Sequence, residues 1–169
     1  QITRVGSSKS MVQKTTLVSG TFSEFFKVLN EEVSSVKNIQ GDTIELDETD
    51  SGNYWTGSYP DTELIKDEDR YPIGILNTPE FDESITGYRR TESVLEVDIT
   101  VYDTRAEHPP KFVEKAVSCL RNNQDLKAEG LYNVQVVDTT KNVLTQQRSD
   151  LKIHEYTATV AVGFEFVVN

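Results

Sequence analysis

The chain has 169 residues, with 28 acidic against 17 basic side chains and a formal net charge of −11. This length predicts one domain with its own apolar core. The acidic balance argues against sequence-independent binding to nucleic-acid phosphates, which requires clustered Lys and Arg.

The cysteine content and the apolar runs also limit the class of protein. A single cysteine, Cys119, cannot form an internal disulfide, which favours intracellular assembly. The most apolar run, residues 158–168, is far shorter than the roughly 20 residues that a spanning helix needs. The first residues lack the apolar segment of a signal peptide. We therefore expect neither a membrane segment nor a signal peptide.

The first part of the chain differs in charge from the rest. We predict an extended N-terminal arm over residues 1–19 and a single domain over residues 20–169. Residues 41–70 hold ten carboxylates, whereas residues 1–23 hold no carboxylate and three basic side chains: Arg4, Lys9 and Lys14. The arm is either a mobile polar terminus, as most chain ends are, or a segment that packs on an acidic surface of a neighbouring copy.

The first predicted element is a helix over residues 22–37. Thr21 and Glu24 have the spacing of a capping box, in which each side chain bonds to the backbone N–H of the other residue. Apolar residues at spacings of three and four predict one buried stripe: Phe22, Phe25, Phe26, Leu29, Val33 and Val36.

A brief strand is predicted over residues 41–47, and a long polar loop over residues 48–69. The loop contains an aromatic cluster of Tyr54, Trp55 and Tyr59. Such a cluster more often pins a loop to its own core than binds a ligand. We therefore predict that these three residues anchor the loop, with a ligand platform as the alternative.

The stretch Tyr-Pro-Ile-Gly-Ile-Leu-Asn-Thr-Pro-Glu, residues 71–80, predicts a short strand with a proline near each end. Pro72 removes a ladder donor and so favours a strand start or an edge, and Pro79 ends the strand; we predict that the strand lies at an edge of the sheet. Ile73 and Ile75 are predicted to pack beneath the helices. A hairpin loop is predicted over residues 79–91.

A long strand is predicted over residues 92–102, because Leu95, Val97, Ile99 and Val101 alternate with polar residues. The two prolines at 109 and 110 suit the first turn of a helix. The apolar stripe that follows them predicts a helix over residues 109–122.

Two strands complete the predicted domain. The first follows Gly130, with Tyr132, Val134 and Val136 on one face, and a turn is predicted at Thr140-Lys-Asn. The second has an inward face of seven alternating positions: Tyr156, Ala158, Val160, Val162, Phe164, Phe166 and Val168. The predicted fold class is α+β, with two amphipathic helices packed on a mixed, mainly antiparallel β-sheet.

The residue types that carry catalysis are few and scattered. The histidines, His108 and His154, are not beside a strained Gly-rich turn, and Cys119 is predicted to be an inert, partly buried thiol. Residues 47–52 superficially resemble a calcium loop but have Thr and Ser at ligand positions. We predict no catalytic residue, no cofactor and no metal, and hence a structural or binding protein.

A basic pair follows Tyr88, at Arg89 and Arg90. It could clamp a phosphate, but in an acidic chain an ion pair within the protein or across a subunit boundary is favoured. We predict a subunit interface that contains the pair, Tyr88 and the three basic residues of the arm: Arg4, Lys9, Lys14, Tyr88, Arg89 and Arg90.

Several motifs together resemble one family. They are Tyr71-Pro-Ile-Gly-Ile with its partner strand at residues 94–102, then Asp103-Thr-Arg-Ala-Glu, the helix end Leu120-Arg-Asn-Asn, and Gly130-Leu-Tyr-Asn-Val. Over residues 20–168 this pattern is similar to the tail terminator proteins of tailed bacteriophages and archaeal viruses.

The resemblance implies a structural protein of the virion, located at the head–tail junction and assembled in the host cytoplasm. It implies a ring of six copies that caps the tail tube protein and faces the connector or neck protein, with DNA passing through without specific binding. The arm and the loop over residues 48–69 depart from the family pattern. A head-completion or neck protein (stopper or adaptor) is therefore an alternative, as is a monomeric ligand-binding module that uses residues 54–59.

Overall fold

The structure is a computed structural model that describes residues 17–49, 52–61, 64–77, 80–85, 90–128, 132–145 and 151–167. It has the predicted α+β fold. The helices are α1 (Leu17–Glu32), α2 (His108–Asn122) and α3 (Gln124–Ala128), with a short 3-10 turn at Glu68–Arg70. The strands are β1 (Ser35–Lys37), β2 (Thr43–Glu45), β3 (Trp55–Thr56), β4 (Ile73–Leu76), β5 (Glu80–Ile85), β6 (Arg90–Asp103), β7 (Tyr132–Thr145) and β8 (Lys152–Val167).

The main sheet has the strand order β3-β4-β6-β8-β7, and β5 pairs with the first part of β6. The pairing of β3 with β4 is parallel and the other pairings in this sheet are antiparallel, so the sheet is mixed and mainly antiparallel, as predicted. A separate hairpin of β1 and β2 turns at Gly41, whose φ of 87° lies in the left-handed region that glycine adopts without strain.

The main core lies between the helices and one face of the sheet, and this face is called the helix-covered face. The inward-facing apolar residues of β6 and β8 form the sheet side of this core, and the apolar stripes of the helices pack against them. Full burial of a Val, Leu, Ile or Phe side chain contributes about 1.5–3 kcal/mol. The fully buried members are Leu95, Val97, Ile99, Val101, Ala158, Val160 and Val162 from the strands, and Phe25, Leu29, Phe112, Ala116, Leu120 and Leu126 from the helices.

A second, smaller core lies on the opposite, helix-free face of the sheet. Ile73 and Ile75 belong to it, together with Ile153 of β8 and with Ile65 and Tyr71 from the segment before β4. The prediction that Ile73 and Ile75 pack beneath the helices is therefore wrong. In register, Leu76 is opposite Ile99 and Ile75 is opposite Thr100, so it is Leu76 that shares the helix-covered face.

The prediction that residues 71–76 form an edge strand is also wrong. β4 pairs with β6 on one side and with Trp55–Thr56 on the other, where Trp55 is opposite Gly74 and Thr56 is opposite Ile75. The physical reason is that Pro72 lies just before the strand, where its missing N–H removes no ladder bond.

The first helix is displaced from its predicted range. α1 begins at Leu17, so residues 17–19 of the predicted arm are helical and Thr21 lies inside the helix, where it cannot serve as an N-cap. The helix ends at Glu32, before the predicted end at 37. Ser34, Ser35 and the β-branched Val36 have low helix propensity, and residues 35–37 pair with β2 instead.

Two further strand predictions are corrected. Residues 80–85, predicted as part of a hairpin loop, form β5 and pair with β6 from Glu80 opposite Glu96 to Ile85 opposite Thr91. The predicted turn at residues 140–142 lies inside β7, since Thr140 is opposite Thr157 and the pairing continues to Thr145.

The strand β7 also has a less regular first half than its alternation predicts. Its pairing with β8 shifts register between Tyr132 and Gln135 and again between Val136 and Asp138. Asn133 has a φ of 56°, a conformation that Asn tolerates. As a result Val134 is buried but Val136 is 41% exposed, so the two valines do not share one buried face.

Candidate functional site

The aromatic residues of the loop over residues 48–69 hold it against the body. Trp55 is only 1% exposed, and its indole Nε1–H donates to the carbonyl oxygen of Val33 at 2.7 Å. The Asn30 side-chain oxygen accepts from the backbone N–H groups of Tyr54 and Trp55, each at 2.8 Å. Because the indole is buried and its donor is used, Trp55 offers no exposed ring to a ligand.

Tyr59 fixes the rest of the same segment over the helix-free face. Its hydroxyl accepts from the backbone N–H of Ile65 at 3.1 Å and lies 2.6 Å from the Tyr71 hydroxyl, which donates to the Ile65 carbonyl oxygen at 2.6 Å. Since the Tyr71 proton is used there, Tyr59 donates to Tyr71. The Tyr59 ring also meets Tyr102 edge to face, with centroids 5.1 Å apart.

The pKa values of two of these tyrosines are raised. Burial raises the pKa of Tyr71 above the usual range, and the hydrogen bond with Tyr59 adds to the shift. Burial likewise raises the pKa of Tyr102, with a further contribution from its hydrogen bond with Glu155. Both hydroxyls therefore stay neutral and serve as structural hydrogen-bonding groups.

Two clefts lie beside the anchored loop. One, of about 560 Å³, is lined by Tyr54, Thr56, Ile73 and the ion pair of Asp47 with Arg70, in which Nε and Oδ2 are 3.0 Å apart. The other, of about 530 Å³, lies between α1 and the loop. Glu48 also lines the first cleft, so its charged lining is net negative. Because Trp55 is buried, neither cleft presents the three-residue aromatic platform considered above.

A short polar contact between buried side chains joins β6 to the start of α2. His108 Nδ1 lies 2.5 Å from Asp103 Oδ2, and both side chains are buried. A second oxygen of Asp103, Oδ1, accepts from the backbone N–H of Thr104 at 2.7 Å. The pair fixes the turn between strand and helix, and the described contacts of His108 include no Ser, Thr or Cys nucleophile.

Cys119 faces the end of α1. Its thiol donates to Glu32 Oε2 at 3.1 Å. Burial raises the pKa of Cys119 to about 12, and the hydrogen bond and the negative charge of Glu32 add to the shift. The thiol is therefore protonated and weakly nucleophilic near neutral pH. Within the described residues, no group of three or more His, Cys, Asp or Glu side chains could hold a metal ion.

The helix-free face of the sheet is acidic beyond its small core. Cross-strand register places Asp98, Thr159 and Asp138 in one row, and Glu155 beside Asn142 in another. Glu96 lies on the same face of β6. In these rows across β6, β8 and β7, every charged residue of the helix-free face is a carboxylate: Glu96, Asp98, Asp138 and Glu155. In the described part of the chain, none of the four has a basic side chain within 4 Å.

The backbone register extends this acidic pattern toward the ends of the strands. Glu80 of β5 is opposite Glu96, and Glu92 of β6 is opposite Glu165 of β8. Like charges at directly opposite positions destabilise a strand pair. At these two register positions the sequence has like charges opposite each other.

The second candidate surface is the free edge of β7. Residues 135–143 are all exposed, and Val137 and Val143 are 52% and 56% exposed. Residues 138–145 pair with β8 without a register shift and contain no proline. We call residues 138–145 the open edge, because β7 is the last strand of the described sheet and has a neighbour on one side only.

Most of the residues predicted at the subunit interface lie outside the described residues: Arg4, Lys9, Lys14, Tyr88 and Arg89. Arg90 is the first residue of β6 and is opposite Val167 in register. The structure therefore shows the contacts of the loop anchors Trp55 and Tyr59. The subunit interface stays a prediction. The open edge was missed, although the polar run Asp-Thr-Thr-Lys-Asn at residues 138–142 is a signal for an exposed strand.

Neither a scan against models of known protein families nor a search of curated proteins finds a match for this chain. In the ranges that the structure describes, no helix has both the length and the apolar character needed to cross a membrane.

Proposed function

We propose that this protein is a structural component of a virion, a tail terminator that forms a ring at the head–tail junction. Six copies cap the tail tube and join it to the connector, and the genomic DNA passes through the lumen. The protein is not an enzyme in this proposal. Its partners are other copies of itself, the tail tube protein and the connector or neck protein.

The observation that carries the proposal is the acidic helix-free face. A lumen through which DNA slides must not hold the phosphates, and a surface of carboxylates repels them. At −11 for each chain, six chains carry −66, six times the single-chain charge. The face with Glu96, Asp98 and Asp138 is the one we assign to the lumen.

The asymmetry of the sheet supports assembly into a ring. A ring needs two different surfaces on each copy, one of which meets the other on the next copy. The open edge of β7 supplies one surface with unused backbone groups. A neck ring next to the terminator would need the same two features, so a head-completion protein remains the alternative within this class.

A monomeric ligand-binding module is less well supported. That function would use the aromatic residues at 54–59, but Trp55 is 1% exposed and Tyr59 is bonded to Ile65 and Tyr71. These residues serve as anchors for the loop.

Electron microscopy of the purified full chain tests the proposal. We expect closed six-fold rings with a lumen wide enough for duplex DNA, and stacking of these rings on the ends of tail tubes. Particles that remain single chains at all concentrations, or rings that bind only to tube sides, would contradict it.

Replacing Arg89 and Arg90 with Glu should disrupt the ring, and an unchanged ring would exclude these residues from the interface.

A charge-reversal experiment tests the assignment of the lumen. The double variant Glu96→Lys with Asp98→Lys changes the net charge from −11 to −7, which is −11 plus 4. The control, Asp42→Lys with Glu45→Lys on the β1–β2 hairpin, makes the same change elsewhere. We expect DNA retention at low salt by the first variant only. Equal retention by both variants would contradict the assignment.

A further inference from the structure

The open edge has a strand-length row of backbone groups that the described sheet does not use. Eight residues at about 3.3 Å each give an edge roughly 26 Å long. Natural proteins protect such edges with proline, bulges or charges. The bulges of β7 lie between Tyr132 and Asp138, so the half that follows them is regular and has Lys141 as its only basic residue.

The carboxylates near the open edge favour a basic strand as its partner. Asp138 belongs to the edge itself, Glu155 lies beside Asn142 on the neighbouring strand and Asp98 lies in the row of Asp138. Asp98 accepts from the Thr159 hydroxyl at 2.6 Å and Glu155 accepts from the Asn142 amide at 2.9 Å. In register, Lys141 and Lys152 belong to the other face of the sheet. On the helix-free face, the described partners of these carboxylates are all neutral, so basic side chains on that face of an added strand would be attracted.

The chain contains a segment of suitable charge and length. Residues 1–16 precede α1 and carry Arg4, Lys9 and Lys14 without a carboxylate, a charge of +3. The other residues hold 28 acidic and 14 basic side chains (17 minus 3), a charge of −14. Sixteen extended residues span up to about 53 Å. Eight of these residues could pair along the open edge, and the other eight could span the distance from α1 to that edge.

We propose that residues 1–16 of one copy add as a strand to the open edge of a neighbouring copy. This inference rests on the proposed ring, because the arm then supplies the second of the two surfaces that each copy needs. The backbone of the arm satisfies the N–H and C=O groups of the edge, as in other cases of strand addition. Its three basic side chains are attracted by Asp138 and Glu155 at this end of the helix-free face, and Glu96 and Asp98 of β6 stay without a basic partner on the face assigned to the lumen.

A contact between two open edges is the competing arrangement. It would join the acidic helix-free faces of two copies side by side with no basic segment between them, which is electrostatically unfavourable. A two-fold contact of this kind also closes at two copies and gives no ring. The arm differs in both respects, because it is basic and its contact runs from one copy to the next.

Hydrogen exchange of the full-length protein tests the contact. We expect the amides of residues 138–145 to exchange at least about tenfold more slowly in the ring than in the triple variant Arg4→Glu, Lys9→Glu, Lys14→Glu. The control variant Lys27→Glu, Lys66→Glu, Lys127→Glu has the same net charge and should keep the protection. Equal protection in both variants, or none in the unmodified ring, would overturn the proposal.

Cross-linking distinguishes a neighbouring copy from the same copy. In a Cys119→Ser background, Val12→Cys and Thr140→Cys are joined with a short bismaleimide. A ladder of linked chains on a denaturing gel supports the proposal. A link confined to single chains, or no link, overturns it. If rings form but these tests fail, only the arm assignment fails; if no rings form, the proposed function fails.

Discussion

The two edges of the main sheet differ in how they end. At one edge the last strand, β3, has two residues, and Trp55 is buried where it covers β4. At the other edge β7 has fourteen residues, of which 135–143 are all exposed. The first edge offers almost no backbone for further pairing, whereas the second offers a regular strand of eight residues. Of the two strands that end the path β3-β4-β6-β8-β7, only β7 can therefore pair with a further strand of that length; β5, which pairs with β6 outside this path, has six residues.

In the ring that we propose, this difference between β3 and β7 limits the ways in which copies can add to one another. A sheet with two open edges could add strands at both and form open-ended stacks. The hydrogen bonds of Trp55 and Tyr59 hold the loop in place beside β3 and β4, and β7 is the edge that we assign to the contact in the proposed ring. Variants at each edge should consequently have different effects, on folding at the closed edge and on assembly at the open one.

The largest effect on folding is expected from Trp55→Ala at the closed edge. Removing a fully buried indole costs about 3–5 kcal/mol in the free energy of unfolding. The control Trp55→Phe keeps most of the apolar volume and loses the bond to Val33, so it should cost less. Urea unfolding measures both values. A loss below about 1 kcal/mol for the alanine variant would contradict the closed-edge account.

A second test adds volume at the same place. A Cβ atom at Gly74 would lie 2.9 Å from Cε3 of Trp55. Because the ring is buried and has little room to move, Gly74→Ala should reduce the free energy of unfolding by about 1–3 kcal/mol. Gly41→Ala is a poor comparison because its φ is positive. If thermal unfolding shows Gly74→Ala to be neutral, the indole does not pack tightly against β4.

A smaller effect is expected from Tyr59→Phe. The variant keeps the ring contact with Tyr102 but leaves the Ile65 N–H without its acceptor, at a cost of about 1–3 kcal/mol if that N–H remains shielded from water. Chemical unfolding followed by tyrosine fluorescence gives the value. Restored stability in a double variant with Tyr71→Phe would show coupling of the two hydroxyls; a neutral single variant would exclude an anchoring role for the hydroxyl.

The smallest effect on folding is expected at the open edge. Val143 is 56% exposed, so Val143→Lys should change the free energy of unfolding by no more than about 0.5 kcal/mol. It should nevertheless weaken assembly, because it adds a charge to the contact. Ile39→Lys is the matched control, as Ile39 is 77% exposed and far from β7 in sequence. Equal association of both variants in analytical ultracentrifugation would mean that β7 is not the contact.

The elements with strong periodic patterns were predictable from the sequence. The inward residues of β6 from Leu95 to Val101 are buried as the alternation indicates, and α2 spans His108–Asn122 against a predicted range of 109–122. In these segments the local pattern and the tertiary packing agree. The buried positions of Ala158, Val160 and Val162 in β8 were predicted for the same reason.

The elements that depend on distant partners were not predictable. The closed edge arises because Trp55–Thr56 lies beside β4 in parallel, and two residues carry no periodic signal. β5 reads Glu-Phe-Asp-Glu-Ser-Ile, whose acidic content resembles a loop, yet β6 supplies a partner for all of it. The open edge is a property of strand order, which alternation within β7 does not encode.

Native mass spectrometry of the full chain tests the central claim most directly. A chain of 19.1 kDa that assembles through one open edge into a closed ring of six gives a single species of about 115 kDa, six times the chain mass. The account predicts this species for the protein and its loss in Val143→Lys. A single chain at all concentrations, or a continuous series of masses without closure, would contradict it.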